Sequence, residues 1–160
     1  MTDAVHDHDA PVPAHDPPAD DPAARGRAAL AALAPETVRA LAEVERVVAR
    51  TVDAATLALV RQRVHDMLGL PVTPQHEGAL PIGKSEALDA WESSDAFTER
   101  ERALLAFVDQ FVFAVSDMAD AEVEALLAHT GPLHLHELAN VVWAVDLTAR
   151  ADHVAAAVLA

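Results

Sequence analysis

The chain contains no cysteine. That excludes disulfides, thiolate metal centres and thiol nucleophiles, and leaves the redox compartment open. Positive charge is scarce: 11 Lys and Arg stand against 26 Asp and Glu, for a net charge of -15. Nucleic-acid phosphates and anionic membrane surfaces both require clustered cations, so neither partner is expected. Aromatic residues make up only 4% of the sequence. No apolar run reaches the roughly 18 to 20 residues that span a bilayer, and no basic stretch followed by an apolar one opens the chain as a signal peptide would. A soluble cytoplasmic protein is the expectation.

What is present is alanine, leucine, glutamate and arginine, all strong helix formers, within a 52% hydrophobic sequence of 160 residues. One all-α domain with a real core is expected. The opening "MTDAVHDHDAPVPAHDPPADDPAA" holds six Asp and five Pro with no Lys or Arg. Such a segment cannot bury enough apolar surface to offset its chain entropy, so residues 1–23 read as a disordered acidic tail. Its His6, His8 and His15 could hold a transition metal only loosely, and a solvated acidic tail is the plainer reading.

Residues 24–160 read as one helical domain, a bundle of about six helices. An Ala-rich segment over about 24–33 stops before Pro35, which suits the first turn of a second helix running to about Arg50. Asp53 is a natural N-cap for a third, whose Leu57, Val60, Val64, Met67 and Leu68 form one stripe before Gly69 and Pro71 end it. Residues 69–83 read as a loop and 84–91 as a brief helix. In "DAFTERERALLAFVDQF" Thr98 and Glu101 form a capping box, and Leu104 to Val112 mark a buried face. Asp120 is expected to cap the next helix, which Gly131 and Pro132 interrupt. A long final helix follows from about His134 to Leu159. No strand-like alternation occurs.

Three blocks carry a resemblance: "LALVRQRVHDMLG", "WESSDAFTERERALLAF" and "DLTAR". Together, over about residues 53–155, they resemble the carboxymuconolactone decarboxylase-like superfamily, and within it the alkylhydroperoxidase D-like, or peroxidase-related, branch. The resemblance implies an all-α fold and a homo-oligomer, trimer or hexamer. In the redox-active branch the arginine-rich helix leads into Cys-x-x-Cys with a His four residues on, a pattern that serves thiol–disulfide exchange. In "LGLPVTPQHEG" the pair falls on Leu70 and Thr73, and the histidine position falls on Glu77, with His76 one residue early. Neither Leu nor Thr exchanges disulfides, so thiol peroxidase chemistry is not expected.

The remaining chemistry is that of small carboxylic acids. The decarboxylases of the superfamily need no cysteine pair, only a proton carrier and a cation for the carboxylate. Arg61 and His65 are four apart and share a helix face. Arg61, His65 and Arg150 are the candidate substrate-binding residues, with His76 and Glu77 as candidate catalytic proton carriers. The commoner role for Arg and His on such a face is solvation or pairing with a neighbouring helix, and for Asp146 with Arg150 the commoner role is a helix-stabilising pair alone. In "LHLHEL", His134 and His136 are two apart and point to different faces, so no metal site is expected. No cofactor is expected either. An oligomeric small-molecule-binding or scaffold protein without redox activity is the leading functional expectation. A non-redox decarboxylase or isomerase is one alternative, and an interaction protein that recruits a basic partner through its acidic tail is another.

Overall fold

Local signals set most helix boundaries in the computed structural model, which describes residues 21–71 and 80–160. Asp21 caps α1 (Pro22–Leu33) through its side chain, so this helix begins two residues before the expected 24. Pro35 opens α2 (Pro35–Thr51). Asp53 caps α3 (Ala54–Leu68), accepting from the Thr56 amide at 2.9 Å and its hydroxyl at 2.7 Å. At the other end Gly69 takes a left-handed φ of 65°. The Gly69 and Leu70 amides then bond back to the Asp66 and His65 carbonyls, at 3.1 and 2.9 Å. This pairing closes the last turn as only glycine does cheaply.

The expected helix over 84–91 divides into α4 (Ile82–Glu86) and a 3-10 turn, Leu88–Ala90. The capping box then opens α5 (Glu99–Ala114): the Glu101 amide donates to the Thr98 hydroxyl at 3.2 Å, and the Thr98 amide to the Glu101 carboxylate at 2.9 Å. Asp120 is not the cap of α6 (Asp120–Thr130). Extended Ala119 holds that position without a side-chain bond, and Asp120 sits in the first turn, where its charge still suits the helix dipole. The final helix α7 (Pro132–Leu159) begins two residues before His134, with Pro132 in its first turn.

The described residues thus form an all-α bundle. Helix α7 runs beside α1, α2, α3, α5 and α6, and is the axis on which the others pack. Val60, Val64, Leu105, Val108, Leu126 and Val142 are wholly buried at the centre. Trp91, at 8% exposure, and Phe97 pack into the same cluster. Not every large apolar residue is inside. Val47 and Leu147 stay partly exposed, and Trp143 is 54% exposed on the outer side of α7. Among the described residues, no helix is long and apolar enough to cross a membrane. Residues 1–20 and 72–79, and with them most of the expected tail, His76, Glu77 and Thr73, lie outside the described residues.

Candidate functional site

Arg61 and His65 stand one turn apart on α3 and line one cleft, as their spacing predicts. Val44 and Val48 of α2 form one wall, and Ala144, Val145 and Ala149 of α7 the other. The Thr148 hydroxyl also lines it but donates to the carbonyls of Ala144 and Val145, at 3.0 and 3.1 Å. The cavity is about 50 Å³. That admits roughly three or four water-sized spheres, the bulk of a carboxylate group.

Two acids, Glu45 and Asp152, also line the cleft. Neither is left to neutralise Arg61, because Arg27 of α1 holds both. Its Nε donates to Asp152 at 2.8 Å and its Nη2 to Glu45 at 3.0 Å, with a second, close contact from Nη2 to Asp152. The hydrogen bond from Arg27 to Asp152, aided by the bond to Glu45 and opposed by burial, holds the Arg27 guanidinium more firmly protonated than usual. Arg61 shows the opposite. Burial lowers its proton affinity, and Glu45 acts on it only through space. Arg61 forms no hydrogen bond or ion pair with any described residue, whereas half-buried guanidinium groups normally find an acceptor.

His65 Nδ1 lies 3.1 Å from the Pro71 carbonyl. A carbonyl can only accept, so Nδ1 carries the proton and Nε2 is the ring nitrogen left to exchange one. The cleft therefore offers an unengaged cation beside a proton carrier, with apolar walls.

The other candidates lie elsewhere. Arg150 is on the exposed side of α7, where its Nε donates to both oxygens of Asp146 at 2.8 and 2.9 Å. The structure does not bring it to Arg61. Arg63 turns away from the cleft and grips Asp109 of α5 in two parallel bonds of 2.6 Å, a staple between helices. Asp66 faces the Gln62 amide at 3.0 Å, and burial raises its proton affinity. His136 is exposed, while His134 pairs with Glu137 at 3.0 Å. Among the described residues no three His, Asp or Glu side chains converge to hold a metal ion. Sequence reasoning missed Arg27, Glu45 and Asp152. They meet across 18 and 125 positions, and no local pattern marks such a contact.

In comparisons with protein-family models, curated proteins and solved structures, nothing matches this chain.

Proposed function

We propose that this protein binds a small carboxylic acid at Arg61, as a cysteine-less, homo-oligomeric member of the carboxymuconolactone decarboxylase-like superfamily in its alkylhydroperoxidase D-like branch. The observation that carries the binding is Arg61 itself, a partly buried guanidinium with no acidic partner. The fixed pair of donors on a guanidinium matches a carboxylate, and Arg27 keeps the nearby acids from competing. Only the carboxylate group enters the cavity, and the remainder of the ligand lies at its mouth. The family reading draws its support from the three sequence blocks and the all-α bundle.

Oligomer formation draws support from α7. Its core face is apolar, and so is much of the opposite side: Trp143, Leu147, Val154 and Val158 form an exposed stripe. A helix apolar on both sides is ordinarily covered on both. Val47 of α2 borders the stripe across a nearly apolar groove beside Trp143.

A second reading, a decarboxylase or isomerase, is favoured by His65. It places a proton-exchanging nitrogen on the face that holds the carboxylate anchor.

The test is an amide-resolved NMR titration with acetate, propionate and benzoate. Shifts should appear around 61–65 and 144–149, and vanish in Arg61→Gln. A panel that moves no amide there overturns the binding reading. Native mass spectrometry tests assembly: a trimer or hexamer is expected, and a monomer at micromolar concentration removes that part. Turnover of any bound acid that depends on His65 would establish the enzymatic reading.

A further inference from the structure

A second, larger cleft, of about 250 Å³, opens where α3 and α5 begin. Its floor is made of Leu59, Leu104, Leu126 and Leu138, none more than 4% exposed. Its rim carries charges of both signs: Asp53, Lys84, Arg100 and Glu101.

Two of those charges are consumed within the fold. Lys84 pairs with Glu101, which also accepts from the amide and hydroxyl of Thr98. The other two are not. Asp53 accepts from the amide and hydroxyl of Thr56, which leaves lone pairs unused on both oxygens, and it forms no ion pair with any described residue. Arg100 reaches no carboxylate among the described residues. Its Nη2 donates to His134 Nε2 at 3.3 Å. Because arginine only donates, that nitrogen accepts, so the His134 proton sits on Nδ1 and is given to Glu137. Arg100 thus leans on a neutral ring that orients its guanidinium without cancelling its charge.

Asp53 and Arg100 do sense each other. The Thr56 hydrogen bonds are the main cause of the lowered Asp53 proton affinity, and the charge of Arg100 adds to it. Yet the two line one cleft, above an apolar floor, without forming an ion pair with each other.

We propose that this cleft binds a free aliphatic α-amino acid, its carboxylate on Arg100, its ammonium on Asp53 and its side chain on the leucine floor. A ligand of both signs suits a rim of both signs. A plain carboxylate leaves Asp53 facing an anion and works against the net charge of -15, whereas a plain amine meets Arg100. Neither helix start competes as an anion site, since Asp53, Thr98 and Glu101 already occupy its amides. The cavity falls just below the roughly 300–1,000 Å³ of drug-sized pockets, which fits a compact ligand.

Three probes that share one 3-methylbutyl group test this by titration against the full chain: L-leucine, 4-methylpentanoate and 3-methylbutylamine. Leucine should bind with amide shifts at 53–56 and 98–101, and about tenfold more tightly than either single-charge probe, the worth of one charge-assisted contact. Arg100→Gln and Asp53→Asn should each weaken the leucine response of those amides about tenfold. Asparagine caps a helix as well as aspartate, so Asp53→Asn removes the charge and keeps the fold. The proposal is overturned if millimolar leucine moves none of those amides, or if 4-methylpentanoate moves the same amides with equal affinity. The three-probe comparison on the unaltered protein decides the question even if a variant fails to fold.

Discussion

Gly26 of α1 lies so close to α7 that a methyl group on its α-carbon would stand 2.4 Å from the Ala156 backbone nitrogen. Backbone on both sides cannot yield, so a side chain here forces the helices apart. Gly26→Ala should cost about 1–3 kcal/mol and lower the melting temperature by several degrees. The next residue is Arg27, so the same variant should weaken the Arg27 bonds to Asp152 and Glu45. Thermal denaturation with Gly26→Ala and Arg27→Met, singly and together, measures both. Additive losses would mean the two contacts are independent, against the expectation.

Arg61→Met separates a reserved cation from a structural one. An arginine that holds the fold together destabilises it when removed. Arg61 bears a desolvation cost with no partner to offset it, so Arg61→Met should leave the melting temperature unchanged or raise it by a few degrees. A clear fall would show that Arg61 has a stabilising contact.

Asp66 has its proton affinity raised, first by burial. Because the folded-state value lies above the unfolded one, ionisation of Asp66 opposes folding at neutral pH. It ceases to do so as pH falls through the folded value and then the ordinary carboxylate range. Asp66 also sits in the last turn of α3, where the helix dipole disfavours an anion. Asp66→Asn should therefore stabilise by about half a kcal/mol at pH 7, with the gain gone near pH 3. Chemical denaturation at the two pH values checks this.

Asp53 behaves in the opposite sense. Its folded value is lowered, chiefly by the Thr56 amide, so its contribution is present above the ordinary carboxylate range and lost as pH falls through the lowered value. Asp53→Ala removes the cap as well and should cost about 1 kcal/mol at pH 7, while Asp53→Asn should cost less.

Hydrogen peroxide with any dithiol reductant should not be consumed by the purified, metal-free protein, because no residue can form the mixed disulfide. Rapid turnover would reveal a peroxide chemistry that needs no thiol.

The features legible in the sequence were those fixed within one or two turns. Asp53, Gly69 and the Thr98–Glu101 box each act on neighbours in the chain, and each delimits its helix as read. Asp120 was displaced by one position because extended Ala119 can begin a helix without a side-chain cap. The shared face of Arg61 and His65 followed from helical spacing, but the wall opposite them did not. That wall comes from α2 and α7, and its acids are held by an arginine on α1. For Arg150 the sequence offers both a ligand role and an i,i+4 pair with Asp146, and the pair is what forms, on the exposed side of α7. The shared cleft of Asp53 and Arg100 had no sequence signal, because it joins the starts of two helices far apart in the chain.

The two tryptophans carry a consequence for observation. Trp91 is buried at 8% exposure, Trp143 is open on α7 at 54%, and the chain has no tyrosine. Near-ultraviolet emission therefore arises from two indoles in contrasting surroundings, one dry and one wet. The dry indole emits to the blue and is shielded from iodide, and its spectrum changes when the core opens. The wet indole emits to the red and is quenched freely, and it loses that access when the outer side of α7 is covered. Unfolding and association can thus be followed separately by colour and quencher access, on unlabelled protein.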